Sequence, residues 1–238
     1  MSRPGAADAG AYPFNIRAFS HGIDLTFRSA VTFFVGENGS GKSTLLEAIA
    51  ECCGFNPEGG GRDHHRETVA GTPSLARALT LSWTPKVTQG FFLRAESFYD
   101  FATYIQQVSD MRAYGGKSLH EQSHGESFLA LFTHRFERGF FILDEPEAAL
   151  SPQRQLTFLR LLHDLTRDGH AQFLIATHSP ILLAYPGATL FDLDGDAIRE
   201  IEYRETKHFL ITRDFLNSPE RFFKHLLSTS GDAGGDES

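Results

Sequence analysis

The chain has 238 residues, 22 basic and 30 acidic, for a formal net charge of -8. With 41% hydrophobic and 22% charged residues, it is neither a disordered chain nor a collagen-like or coiled-coil rod, and its length suits one domain with a sizeable core. The acid excess argues against overall attraction to a nucleic-acid backbone and leaves only a local basic groove for that role.

Residues 1–11, rich in Ala and Gly, and 229–238, Gly and acid, read as a flexible N-terminus and a disordered acidic tail around a single domain over 12–228. MSRPGAADAG lacks an apolar signal core, and no run approaches the ~20 apolar residues that span a bilayer. Within the domain IDLTF (23–27) alternates, predicting an antiparallel strand that leads into the buried strand VTFFV (31–35). Leu45, Leu46 and Ile49 then suit a helix. Cys52 and Cys53 are adjacent, with neither metal-ligand spacing nor a disulfide framework, which predicts a reducing, cytoplasmic compartment.

From residue 54 to about 130 an insert or helical subdomain is expected. Its first part, 54–75, has no period and reads as a loop. His64 and His65 within it are adjacent and do not converge on a metal as an i, i+4 pair would. FFL (91–93) is a short strand, and Phe128, Leu131, Phe132 and Phe136 repeat at helical spacing. FFIL (140–143) and FLIAT (173–177) are further buried strands, separated by a helix that Pro152 opens and Leu156, Leu159, Leu162 and Leu165 line. TLFDLDGDAIREIEY predicts a hairpin turning at Asp194 and Gly195; DLDGD lacks the distal glutamate of a calcium loop. RDFLNSPERFFKHLL predicts a helix pair. Alternating strands and helices predict an α/β fold with a mostly parallel sheet.

Four segments carry chemistry. VTFFVGENGSGKST is a strand, a glycine loop and a helix start in the order a phosphate loop requires. Backbone N–H groups of Gly36, Glu37, Asn38, Gly39, Ser40 and Gly41 would turn inward around a phosphate. Lys42 would neutralise the β and γ phosphates, and Ser43, followed by Thr44, would offer its hydroxyl to Mg²⁺. FFILDEPEAAL ends a buried strand on two acids, Asp144 for Mg²⁺ and Glu145 as general base, where core packing calls for neither. FLIATHSPILL carries His178, 34 residues after Asp144 and beyond one helical crossover, so the two strand ends can lie on one edge, where His178 fits either a structural strand-end histidine or a γ-phosphate sensor. In HEQSHGESFLALF, Ser123, Gly125 and Ser127 open a helix beginning near Phe128, where a simple cap and an anion site fit equally well.

GENGSGKST, QSHGES, ILDEPEAAL and ATHSP together resemble the ABC-type ATPase set of phosphate loop, signature motif, Walker B with catalytic glutamate and switch histidine. The resemblance runs over nearly the whole chain. It implies a P-loop fold with an N-terminal antiparallel β portion and a small helical subdomain, and ATP hydrolysis with Mg²⁺. It also implies a head-to-tail homodimer in which Ser123, Gly125 and Glu126 of one subunit reach the ATP held by the other. Glu147 and Ser151 in DEPEAALS, and SHGES in the signature, depart from transporter subunits towards SMC-like and RecF-like soluble ATPases and small bacterial AAA/ABC-type ATPases. No glutamine follows FFLRAES in the Q-loop position; Glu96 is the nearest polar group and a candidate Mg²⁺ ligand, while Gln89 precedes the strand. Tyr12, Phe14 and Phe19 are all available to stack on adenine. The leading expectation is an ATP-driven dimerising switch with an unidentified protein partner. A transporter ATP-binding subunit, or a DNA-maintenance or defence ATPase touching DNA through Arg62, Arg66, Arg77 and Lys86, are the alternatives.

Overall fold

The apolar runs are strands in the computed structural model, which describes residues 10–56, 75–84, 87–95, 128–129, 132 and 138–227. In chain order they are β1 (Val31–Val35), β2 (Gly90–Arg94), β3 (Gly139–Asp144), β4 (Ala171–Ala176), β5 (Thr189–Asp192) and β6 (Arg199–Glu200). They form one six-stranded sheet in the order β2-β3-β4-β1-β5-β6. Every pairing is parallel except β5 with β6, the predicted hairpin.

Both faces of the sheet are covered, which is why these strands read as continuous apolar runs rather than alternating ones. Along β1, Val31, Phe33 and Val35 point to one face and Phe34 to the other. The first face packs on α2 (Pro152–Thr166), through Phe158 and Leu162, and on Phe128 and Phe132 of the predicted helix. Phe158 meets the Phe132 ring edge-on at 5.1 Å, a geometry the ring quadrupoles favour. The second face packs on α1 (Lys42–Cys53), whose Leu45, Leu46, Ile49 and Cys53 form one buried stripe. Gly54, with φ 76°, ends α1 in the left-handed conformation that a glycine adopts at least cost.

The remaining helices are α3 (Pro180–Leu183), α4 (Lys207–Asn217) and α5 (Pro219–Leu226), the last two being the predicted C-terminal pair. Among the described residues no helix is long and apolar enough to cross a membrane.

One element differs from expectation. Residues 23–27 do alternate, with Ile23, Leu25 and Phe27 against the second core face and Asp24 and Thr26 exposed. They nevertheless join no strand ladder among the described residues, so the expected N-terminal antiparallel portion is an extended segment, and the antiparallel pair is β5 with β6, late in the chain. Alternating burial is satisfied by packing alone, whereas a strand also needs a hydrogen-bonding neighbour. The loop at 57–74, most of the 54–130 subdomain and both chain ends fall outside the described residues.

Candidate functional site

The sheet register brings three of the four predicted motifs to one edge. Asp144 is level with Ala176 across β3 and β4, and Ala176 with Phe34 across β4 and β1. The residues that follow these positions emerge together at the carboxyl ends of the strands, where open α/β sheets bind ligands.

After β1 the chain turns through Gly36 (φ 146°), Gly39 (φ 83°) and Gly41 (φ 102°) into α1. A Cβ on Gly36 would stand 2.7 Å from Ser40 Oγ, and one on Gly41 2.9 Å from both Ile16 Cγ2 and Phe19 Cζ. The loop thus closes tightly only with glycine at these two positions. Lys42 is buried; its Nζ donates to the Gly36 carbonyl at 2.7 Å and the Glu37 carbonyl at 3.1 Å. Burial lowers its pKa, while Glu145, Asp144 and Asp194 act in the opposite sense. Among the described residues the buried Ser40 Oγ has no hydrogen-bond partner and the Lys42 ammonium bonds only to these two carbonyls, so both keep capacity for an oxygen acceptor.

Ser43 Oγ donates to Asp144 Oδ1 at 3.2 Å. Asp144 is 5% exposed, and its carboxyl is pushed up to about 6, by burial first, against the Ser43 hydrogen bond and the Arg94 charge. A buried carboxylate beside a hydroxyl is the sparse oxygen donor set that suits Mg²⁺, an ion that keeps waters and phosphate oxygens as its other ligands. Arg94, at the end of β2, lies 3.5 Å from Asp144 Oδ2 and 2.7 Å from Glu47 Oε1 on α1.

Glu145 has φ 51°, the left-handed region, and no other non-glycine residue among those described has a positive φ. That conformation turns the chain sharply off β3, and Glu145 Oε1 faces His178 Nε2 at 3.5 Å. Such strain concentrates at functional sites. Among the described residues the buried Nε2 of His178 has no hydrogen-bond partner.

Glu147 explains how His178 is held. Its carboxylate accepts from the His178 backbone N–H at 2.6 Å and from Thr177 Oγ1 at 2.7 Å. Burial raises its pKa, and these two hydrogen bonds oppose the shift. Thr177 Oγ1 in turn accepts from Ser179 N, and Ser179 Oγ donates to Gln155 of α2. The Walker-like turn and the histidine turn are thereby one hydrogen-bonded unit.

Sequence reasoning missed Arg94, Asp194 and His208 as members of this region, and noted Glu147 only as a departure from a motif. Asp194, in the hairpin turn, accepts from the Glu37 N–H at 2.6 Å and from Lys207 Nζ at 2.8 Å. Burial alone would raise its carboxyl, yet these two hydrogen bonds hold it below its ordinary range. Of the three aromatics considered for a base, Phe19 is buried and Phe14 packs on the core. Tyr12 is exposed, its hydroxyl 2.9 Å from Thr44 Oγ1. Glu96, Ser123, Gly125 and Glu126 lie outside the described residues.

Two family models match the chain. One, described as an AAA domain, covers residues 14–110. The other, an AAA domain whose description names the AbiEii toxin of a type IV TA system, covers 116–184. The hemin import ATP-binding protein HmuV of Pseudomonas aeruginosa is 30% identical over 192 residues, 68% of this chain and 72% of that protein. The petrobactin import ATP-binding protein FpuD of Bacillus anthracis is 25% identical over 174 residues, 63% of each chain. Among solved structures, cbiO1 of Clostridium perfringens, part of the ABC transporter complex cbiONQ, superposes with a TM-score of 0.47 at 18% identity, covering 87% of this chain and 90% of its own. The SMC head domain of Thermotoga maritima does so with a TM-score of 0.43 at 18% identity over 75% of this chain and 92% of its own.

Proposed function

The chain belongs to the ABC-type P-loop ATPases, and on that premise we propose that it hydrolyses ATP and uses the cycle to close and reopen a head-to-tail homodimer. The observation that carries this reading is the convergence of Ser43 with Asp144, and of Glu145 with His178, at the edge where Lys42 sits. The loop N–H groups and Lys42 bind the β and γ phosphates. Ser43 and Asp144 would hold Mg²⁺, which when bound neutralises charge on the phosphates. Glu145 takes the proton of the attacking water, and His178 donates from Nε2 towards the γ-phosphate side of the site. Tyr12 offers its exposed ring to the adenine. Ser123, Gly125 and Glu126 cap the nucleotide of the other subunit, as the resemblance implies.

The test is the solution mass of the Glu145→Gln protein with Mg-ATP, with ADP and without nucleotide. A dimer with Mg-ATP only is the expected result; a monomer in all three conditions would refute the homodimer. Turnover should fall by roughly a hundredfold or more in the same variant, and undiminished hydrolysis would mean that another group is the base.

A second reading, the ATP-binding subunit of an importer, is favoured by the names of the curated relatives. Co-purification of the full chain with an integral membrane protein would support it. Against it stand Glu147 and Ser151, the residues by which DEPEAALS departs from the transporter pattern; Glu147 here ties down the histidine turn.

A further inference from the structure

The first turn of α4 touches the nucleotide site at two points. Lys207 pairs with Asp194, the carboxylate that also receives the Glu37 N–H of the phosphate loop. One residue on, His208 Nε2 stands 2.8 Å from His178 Nδ1, with ring centroids 4.9 Å apart. Local contacts anchor this turn. Thr206 is buried and caps α4 by accepting from the Phe209 N–H, and Phe209 packs on Tyr203.

Two imidazoles at hydrogen-bond distance share one proton between the facing nitrogens, so one must donate and the other accept. The direction follows from what His178 has to do. To donate from Nε2 to an oxygen of the γ-phosphate, neutral His178 must carry its proton there, which leaves Nδ1 with a lone pair. His208 must then be the donor through Nε2–H. We infer that His208 is a positioning residue for ATP hydrolysis: it donates to His178 Nδ1 and so fixes both the ring orientation and the Nε2–H tautomer of His178. Fixing one ring nitrogen through the bond made by the other is a general property of working histidines. Burial lowers the pKa of both rings, and the Lys42 charge lowers that of His178 further, in keeping with a neutral pair at pH 7. Backbone and ring are then fixed separately, Glu147 holding the first and α4 the second.

The inference rests on His178 as the sensor, and the experiment separates the two. Steady-state kcat and KM for Mg-ATP are measured for the full chain and for His178→Ala, His208→Phe, His208→Gln and the double variant His178→Ala/His208→Phe. Phe keeps the ring without the donor, and Gln restores an N–H that can reach Nδ1. Loss of one neutral hydrogen bond predicts a roughly three- to tenfold lower kcat for His208→Phe with KM little changed. Recovery of most of that loss in His208→Gln is expected, as is no further loss when His208→Phe is added to His178→Ala. In ¹⁵N-histidine NMR of the nucleotide-free protein, His178 should be the Nε2–H tautomer and should become a mixture in His208→Phe. If His178→Ala slows hydrolysis but His208→Phe does not, or if Gln fails to rescue, or if the double variant loses activity further, His208 does not act through His178. If His178→Ala is undiminished, the sensor reading itself falls and this inference with it.

Discussion

The sharpest quantitative consequence of the site concerns Asp144 in the absence of nucleotide. Its carboxyl is raised from an ordinary 3.8 to about 6 because it is buried, and the partial support of Ser43 and Arg94 does not cancel the burial. A shift of about 2 units corresponds to ~3 kcal/mol between the two protonation states. The sign follows from linkage. A folded-state pKa above the unfolded value means that the native protein binds the extra proton, so the stability it contributes is fully present below 3.8 and is lost as the pH rises through about 6. At pH 7.5 the ionised group therefore costs the nucleotide-free fold most of that amount.

Asp144→Asn removes the charge, keeps an oxygen that can accept from Ser43, and gives up the attraction of Arg94, which retains Glu47 at 2.7 Å. The net expectation is a gain of about 1–2 kcal/mol at pH 7.5. For a domain of this size that is a rise of roughly 3–6 °C in Tm. The assay is thermal unfolding of wild type and variant in a chelator, at pH 7.5 and pH 5. The gap should shrink at pH 5, where the wild-type carboxyl is itself mostly protonated. Equal gaps at both pH values, or destabilisation at pH 7.5, would refute the claim that burial of this charge is a cost the fold carries for its ligand.

Other consequences can be tested alongside. Lys42→Ala should weaken ATP binding at least roughly tenfold, as loss of hydrogen bonds from a charged donor, measured by titration calorimetry. Glu147→Ala leaves Thr177 Oγ1 and the His178 N–H without their carboxylate and should cost about 1–3 kcal/mol in urea unfolding, with slowed turnover. Glu147→Gln should stay close to wild type in both, because the Thr177 hydroxyl can turn to accept from the new amide. Phe158→Ala should cost about 3–5 kcal/mol by opening a cavity between α2 and the Phe128–Phe132 pair, and a loss under 1 kcal/mol would show that this face of the core is loosely packed.

What could be read from the chain without its structure was whatever nearest-neighbour chemistry determines. A strand, a glycine loop and a helix start are consecutive, so that order was legible directly, and β1 and α1 flank the glycine loop as it required. Runs such as FFIL and FLIAT revealed buried strands because both faces of a parallel sheet exclude water, and the acids Asp144 and Glu145 stood out as the residues such a strand has no packing reason to carry. The alternation in IDLTF corresponds to sides, with Ile23, Leu25 and Phe27 inward, but a side is not a ladder, and the predicted strand does not form among the described residues. Whether a strand forms depends on a hydrogen-bonding neighbour remote in sequence.

The tertiary structure alone decided the contacts across such distances. Ser43 and Asp144 are 101 positions apart and meet only because the strand order sets β4 between β1 and β3. Arg94 meets Asp144 because β2 lies beside β3, and Asp194 reaches the phosphate loop because β5 flanks β1. His208 meets His178 because α4 runs back to the sheet edge after the hairpin. No periodicity marks such residues, since each is an ordinary polar side chain until a long-range fold places a partner within 3 Å or so of it. Local pattern set the elements and the glycine loop between β1 and α1; sheet order and the return of α4 set which charges and imidazoles face one another.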